Sequence, residues 1–372
     1  MVEALKKLDK KFLIIAGCII LLPILLIIFL AIIQGCSNRK ITYEKYESKM
    51  ISAFEKYLND KNAIPIEESE SVTIELSELV ESGYIKSTDK LLDDETCSGS
   101  VSVIRNGSSV EQNKGGFLNY TVNLECQNYS TKHLVDKIKE NVVTDGTSGL
   151  YLIGDEYIFR GNKPNNYINF FGMAYRIVSV DKNGILKLIR TEPELTTRVW
   201  DNKFNTEVNH NYGKNIYKDS SILSVLLNDY VNGKKISKKA RAHVVGYDVC
   251  IGKRSSTDYS INREIDCSEI LEDQVVSLLN ISDYSLASLD PDCNSIISKS
   301  CNNYNYLYDI ASSTWTLNSL SDNTYQVFYI ASGLSEIQNA NMYNEYNLVI
   351  YIDGNELYTE GTGSGLDPYV IN

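Results

Sequence analysis

A long uncharged segment near the N-terminus constrains this chain more than any other feature of its sequence. From Phe12 to Ile33 the sequence reads FLIIAGCIILLPILLIIFLAII and contains no charged side chain. At about 1.5 Å per residue, a helix of this segment is about 33 Å long, enough to cross a hydrocarbon core of about 30 Å. The sequence therefore predicts a transmembrane helix at residues 12–35, in which Pro23 introduces a kink that membrane helices tolerate.

The charges that flank this segment predict its orientation. Lys6, Lys7, Lys10 and Lys11 precede it, and lysines next to a membrane span favour the cytoplasmic side. Residues 1–11 are therefore predicted to be cytoplasmic. The predicted location is the cell membrane, with a single pass, membrane lipid as a partner and an extracellular C-terminal ectodomain.

A second way of attachment is open at the end of the segment. Ile33-Gln34-Gly35-Cys36 resembles a bacterial lipobox, in which the cysteine is lipidated and becomes the new N-terminus. The resemblance makes Cys36 a lipidation candidate and residues 12–35 a lipoprotein signal. Both alternatives hold the same ectodomain on the same face of the membrane.

Six of the eight cysteines lie beyond the apolar segment and Cys36, on the predicted outer side of the membrane: Cys97, Cys126, Cys250, Cys267, Cys293 and Cys301. An even number of cysteines in an exported segment indicates disulfide bonds. Sequence proximity suggests the pairs Cys97–Cys126, Cys250–Cys267 and Cys293–Cys301, although six cysteines allow 15 connectivities. None has the C-x-x-C spacing that is typical of zinc sites and thioredoxin-type redox sites.

Charge and aromatic content narrow the choice of partners. The chain has 36 Lys and Arg against 48 Asp and Glu, a net charge of −12, which makes a nucleic acid a poor partner. Tyrosine is abundant, with 26 residues, while tryptophan occurs twice. Tyrosine offers an apolar ring with a hydroxyl group, which suits wet binding surfaces and strand faces alike.

Residues 40–130 predict a small domain of helices and an antiparallel sheet. Tyr43, Tyr46, Met50, Phe54 and Tyr57 recur at helical spacing and predict an amphipathic helix of about 18 residues. A short helix follows, and then two alternating strands are joined by a hairpin at Asn106-Gly107. The long first helix, the ELVESGYI stretch and the CSGSVSV strand resemble a pilin-like domain.

Residues 131–147 are polar and predict a linker with a short helix. From residue 148 to 372 the pattern changes to short apolar runs broken by glycine, proline and Asn183-Gly184. The stretch SSILSVLLNDYVNG predicts a helix, and later strands are predicted at QVVSLLNI, TWTLNS and TYQVFYIAS, without strand–helix–strand alternation. The second domain is therefore predicted to be α+β.

The second domain resembles a family of ectodomains from Gram-positive bacteria, and that family in turn resembles the C-type-lectin-like fold of the formylglycine-generating enzymes. The residues that carry the resemblance are Gly149-Leu150-Tyr151, Phe159-Arg160-Gly161, Asn165-Asn166-Tyr167, Ala174-Tyr175-Arg176-Ile177-Val178, Val276-Ser277-Leu278-Leu279, Asp283-Tyr284, Trp315-Thr316-Leu317 and Ser319. The predicted fold class is α+β: an N-terminal transmembrane helix, a small helix-plus-antiparallel-sheet domain, and a larger C-type-lectin-like α+β domain.

Patterns typical of catalysis are missing from the sequence. His133, His210 and His243 form no zinc-binding motif, and the chain has no G-x-S-x-G or Walker-type motif. We therefore expect no catalytic residue, no metal ion and no cofactor.

The candidate ligand-binding residues come from the resemblance to lectins. Trp200-Asp201-Asn202 is similar to the Trp-Asn-Asp element of C-type lectins, and Trp315 is added as a second aromatic candidate. The alternative for Trp200 is a loop anchor that packs on the core.

Two functions of different classes follow. The first is a non-enzymatic, membrane-anchored cell-surface adhesion or binding module, which recognises a glycan, a peptide or an envelope protein through loops rich in tyrosine and asparagine. The alternative is a structural component of a pilus-like or envelope assembly.

Overall fold

The computed structural model describes residues 40–371 except 68–69, 93–96, 107–116, 193–195 and 233–235. The described chain is an α+β protein dominated by antiparallel strands and short helices. It divides into two compact units. The described part of the first covers residues 40–63, 73–101 and 122–131, and that of the second covers residues 64–72, 102–121 and 132–371.

The first unit is built on helix α1 (Tyr43–Lys61), which confirms the amphipathic helix predicted from the sequence. Tyr46, Met50, Phe54 and Leu58 follow one another at four-residue spacing, and none of them is exposed. This spacing puts them on one face of the helix. Asn62 ends the helix in the left-handed conformation, with a φ of 51°, which asparagine tolerates better than most residues.

Two short helices and parts of a three-stranded sheet complete this unit. The helices are α2 (Leu76–Glu81) and α3 (Thr88–Leu91). The sheet has the order β1-β2-β3, with strands β1 (Ser71–Glu75), β2 (Ser98–Asn106) and β3 (Phe117–Glu125). Val101 and Val103 alternate on β2 and are both buried, as the sequence pattern predicts. The turn predicted at Asn106-Gly107 lies at and beyond the end of β2, outside the residues whose side chains are described.

The second unit contains most of the strands: β4 (Gly149–Ile153), β5 (Glu156–Arg160), β6 (Tyr167–Phe170), β7 (Met173–Val180), β8 (Ile185–Arg190), β9 (Arg198–Val199), β10 (Tyr247–Cys250), β11 (Ile270–Gln274), β12 (Val276–Ser277), β13 (Ser313–Ser319), β14 (Gln326–Ala331), β15 (Leu334–Asn339), β16 (Tyr343–Asn344), β17 (Val349–Asp353) and β18 (Tyr369–Ile371). Its helices are α4 (Leu134–Lys139), α5 (Ser221–Val231), α6 (Lys238–Arg241), α7 (Arg263–Asp266), α8 (Ile281–Leu286) and α9 (Tyr308–Ala311), with 3-10 turns at Tyr217–Asp219 and Lys299–Asn302.

The main sheet of this unit has the order β12-β17-β8-β7-β5-β4, and β6 pairs with both β7 and β18. The turn predicted at Asn183-Gly184 joins β7 to β8, and Gly184 has a φ of +84°. A separate antiparallel sheet, β13-β14-β15, carries Trp315. The buried apolar residues of both sheets and of α5 belong to one hydrophobic core, so the loops of this unit extend from a single packed body.

Residues 131–147, predicted as a linker with a short helix, contain α4. Leu134, Val135 and Ile138 of this helix are buried in the core of the second unit. The polar residues between them had concealed a three-residue apolar stripe with helical spacing.

Three disulfide bonds join Cys97 to Cys126, Cys250 to Cys267 and Cys293 to Cys301. They confirm the prediction of disulfides and match the pairing that sequence proximity suggested. The partners are 29, 17 and 8 residues apart in the sequence. Each bond therefore closes a local loop and restrains the unfolded chain.

The predicted fold class begins with a transmembrane helix, and this element is wrong for the part of the chain that the structure describes. No helix there is long and apolar enough to cross a membrane. The longest, α1, is amphipathic, with lysine and glutamate side chains among its residues. The segment 12–35, from which a transmembrane helix was predicted, and the lipidation candidate Cys36 both lie outside the described residues.

Replacing Ser220 with alanine is expected to lower the free energy of unfolding by about 1 kcal/mol. The hydroxyl of Ser220 caps α5, because it accepts a hydrogen bond of 3.2 Å from the backbone N–H of Leu223. Ser224 is the matched control, since it is exposed inside the same helix, where alanine is favoured. Chemical denaturation of the two variants measures the difference, and equal stability of both would contradict the capping role.

Candidate functional site

The two tryptophans predicted as ligand-binding residues are core residues. Trp200 and Trp315 have no exposed surface. The indole N–H of Trp200 donates to the carbonyl of Thr316 at 3.0 Å, and that of Trp315 donates to the carbonyl of Arg198 at 2.7 Å. Both rings therefore tie the segment around β9 to the strand β13. This is the loop-anchor alternative that the sequence left open for Trp200.

Asp201 is also buried, with 1% of its surface exposed. One carboxylate oxygen accepts hydrogen bonds from the backbone N–H groups of Lys203 and Lys214, at 3.2 and 2.7 Å, and the other accepts from the backbone N–H of Ser221 at 3.1 Å. The carboxylate thus orders the loop between residues 201 and 221. Asn202 is the exposed member of the predicted set, so the four residues do not form a common surface.

The loop that begins at Trp200 is held to the segment 320–326 by two buried asparagines. The amide of Asn205, 1% exposed, donates to the carbonyls of Gly213 and Thr324, both at 3.1 Å. The amide of Asn215, also 1% exposed, lies within 2.8–3.0 Å of the carbonyls of Leu320, Asn323 and Gln326.

Asn341 adds the third segment to this arrangement. Its side-chain amide donates to the carbonyl of Asn211 at 2.6 Å, and its backbone N–H donates to the carbonyl of Tyr212 at 3.1 Å. We call the three segments, residues 205–215, 320–326 and 340–343, the loop platform. Because side-chain hydrogen bonds connect all three, the platform is a preformed surface and not a set of independent loops.

Three aromatic rings pack against one another in a row on the loop platform. The rings of His210 and Tyr212 are stacked, with centroids 4.7 Å apart and planes 20° apart, and Tyr325 follows at 5.1 Å from Tyr212. His210 is exposed, and the two tyrosines are half-exposed. We call these three residues the aromatic row. Met342 and Tyr343, 49% and 70% exposed, add apolar surface to the third segment.

A cleft of about 430 Å³ lies beside the platform. Residues 215–219 line one part of it, and Ile251, Lys253, Glu269 and Ser319 line the rest. Its connection to the platform is direct, because the ammonium of Lys253 donates to the side-chain oxygen of Asn215 at 3.4 Å. We call this space the Lys253 cleft.

A buried charge network is the other cluster that could carry chemistry. Lys187 forms an ion pair with Asp283, and Arg263 lies 2.9 Å from Glu156 and 3.6 Å from Asp283. Burial raises the pKa of the Glu156 carboxyl above its ordinary value. Burial alone would raise the pKa of Asp283 too, but the charges of Lys187 and Arg263 hold it below its ordinary value.

The space inside this network is too small for a substrate. The cavity between Glu156, Lys187, Arg263 and Tyr351 measures about 30 Å³, which leaves room for about one water molecule. The charged groups already pair with one another, so the cluster is better explained as a structural network than as a catalytic centre.

The two other histidines contact consecutive residues just after β17. His133 and His243 contact the backbone oxygen of Asn355 and the carboxylate of Glu356, at 2.8 and 2.6 Å. Across the described residues, no group of three His, Cys, Asp or Glu side chains could hold a metal ion.

The aromatic row is the feature that sequence reasoning missed. Its signal was present in the segment Asn209-His210-Asn211-Tyr212-Gly213, a composition of tyrosine, asparagine and glycine that is typical of binding loops. The contact of Tyr212 with Tyr325, more than a hundred residues later, has no local signal.

Comparison of the chain with protein-family models, with curated proteins and with solved structures found no match. The resemblances to pilin-like domains and to the C-type-lectin-like fold therefore stay predictions.

Proposed function

We propose that this chain is an exported, non-enzymatic binding protein whose second unit recognises a glycan through the loop platform. The observation that carries the proposal is the aromatic row, with one exposed and two half-exposed rings, on loops joined by the side chains of Asn205, Asn215 and Asn341. Aromatic rings offer flat apolar faces, which suit the C–H faces of sugar rings, while tyrosine hydroxyls and neighbouring amides offer hydrogen bonds to sugar hydroxyls.

The rigidity of the loop platform supports the interpretation that it is a binding surface and not an ordinary solvent-exposed loop. A surface that is already ordered loses little conformational entropy when a ligand binds. The hydrogen bonds of Asn205, Asn215 and Asn341 supply that order. The aromatic row can therefore contribute its contact area to affinity.

The location outside the cytoplasm is part of the same proposal. Three disulfide bonds in one chain suit an oxidising compartment and are rare in the reducing cytosol. The net charge of −12 makes neutral or weakly charged ligands better candidates than polyanions.

A panel of immobilised glycans, probed with the purified full-length chain, tests the proposal. We expect saturable binding to a subset of the panel, competed by the free saccharide and carried out by a monomer. Light scattering of the same sample separates this function from the alternative structural role. Self-association without binding to any saccharide would reject the proposal and favour a component of an assembly.

A further inference from the structure

The Lys253 cleft is lined by one half-buried lysine and by the exposed residues Lys218, Asp219 and Glu269. Lys253 is half-buried, and within the described part of the chain its side chain hydrogen-bonds to the neutral amide of Asn215 at 3.4 Å. No carboxylate of the described residues forms an ion pair with it. Lys187, the buried lysine of the charge network, is by contrast paired with Asp283. An ammonium forms strong charge-assisted hydrogen bonds with anionic oxygens, which makes an anionic ligand a natural partner.

The other charged residues that line the cleft are more exposed than Lys253. Lys218, Asp219 and Glu269 are exposed, so water screens them more than it screens Lys253. The two carboxylates disfavour a polyanion, because several negative groups would be repelled at the entrance. A ligand with a single anionic group among neutral parts avoids that repulsion and still reaches the lysine.

The cleft and the aromatic row are close enough for one ligand. Tyr212 belongs to the row and Asn215 lines the cleft, and three residues of chain span at most about 11 Å between their Cα atoms. The exposed side chain of Ile216, 40% accessible, also lines the cleft. It adds an apolar contact to the cleft.

We infer that the Lys253 cleft binds an anionic substituent, a carboxylate or a phosphate, of the glycan whose rings contact the aromatic row. The inference rests on the proposed function and specifies its ligand class. Sugar acids and phosphorylated sugars or polyols share the required chemistry. The recognition is electrostatic, with the ammonium of Lys253 as donor to the anionic oxygens.

Carbon-13 NMR of the full-length chain with dimethylated lysines tests the site directly, because methylation keeps the lysine charge. The probes are glucuronate, glycerol phosphate and glucose, and the variant Lys253→Gln assigns the signal. We expect the Lys253 signal to shift saturably with one or both anions and not with glucose. A shift with glucuronate alone assigns a sugar acid, and a shift with glycerol phosphate alone assigns a phosphate. Lys182, exposed in the β7–β8 turn, is the internal control.

Affinity measurements determine how much Lys253 contributes to binding of the ligand. Lys253→Gln is expected to weaken binding of a uronate-containing or phosphorylated oligosaccharide about tenfold or more, and to leave the neutral counterpart unchanged. Lys182→Gln is expected to change the affinity for neither the anionic nor the neutral oligosaccharide. A Lys253 signal that shifts no more than the Lys182 signal with either anion would overturn the inference. Binding of neutral saccharides in the panel would still support the proposed function in that case, so the two failures are distinguishable.

Discussion

Replacing Arg254 with methionine is expected to lower the free energy of unfolding by about 3–5 kcal/mol. Arg254 has no exposed surface. Its guanidinium donates to Asp266 at 2.7 Å, to the carbonyls of Ser260 and Asn262, both at 2.8 Å, and to the hydroxyl of Ser282 at 2.9 Å. Methionine fills much of the same volume but leaves the Asp266 carboxylate buried without its cation, and leaves three acceptors without their donor.

Urea denaturation of the oxidised chain measures this loss. Arg198→Met is the matched control, because Arg198 is exposed, and we expect it to change the stability by less than about 0.5 kcal/mol. The double variant Arg254→Met, Asp266→Leu should recover part of the loss, since it removes the uncompensated charge. A loss below about 1 kcal/mol for Arg254→Met would show that water replaces the guanidinium and that the network contributes little to stability.

The sequence predicts those secondary-structure elements whose residue pattern lies within one short stretch of the chain. The four-residue spacing of Tyr46, Met50 and Phe54 predicts α1, and the structure confirms it. Alternation predicts β13 and β14 in the same way. The disulfide pairs are local as well, because their partners are at most 29 residues apart.

The stretch QVVSLLNI shows where a local pattern fails. It predicts one strand, but β12 covers only Val276 and Ser277, and α8 begins at Ile281. Asn280 and Asp283 form a capping box that starts the helix, and this signal overrides the β-propensity of the apolar run. Asp283 is also held by Lys187, which lies 96 residues away in the sequence. No pattern in the sequence predicts that pairing.

The candidate site depends on contacts of the same long-range kind. The sequence placed the ligand on Trp200 and Trp315, but each indole N–H finds a carbonyl more than a hundred residues away, in the interior. Tyrosine and asparagine content predicted the residue types that the candidate site contains. The identity of its residues could not be predicted, because Asn215 brings Tyr325 next to Tyr212 from another loop.

Replacing Tyr212 with alanine is expected to weaken binding of the best glycan in the panel about 30-fold or more, which corresponds to about 2 kcal/mol. Tyr212 is the middle ring of the aromatic row and contacts both His210 and Tyr325. Its removal takes away its own half-exposed surface and also leaves the two outer rings without their common neighbour. Isothermal titration calorimetry with the purified full-length chain measures the change.

Two further variants show whether a loss of affinity comes from the missing ring or from a loss of structure. Tyr212→Phe keeps the ring and removes the hydroxyl, so we expect its affinity to stay within about threefold of the wild type. Tyr308→Ala removes a tyrosine of comparable size, 41% exposed on α9 and outside the aromatic row, and should leave binding unchanged. If Tyr212→Ala binds as well as the wild type while its thermal unfolding is also unchanged, the glycan does not contact the aromatic row. Equal losses for Tyr212→Phe and Tyr212→Ala would instead assign the energy to the hydroxyl, and recognition would then depend on hydrogen bonding and not on a stacked ring.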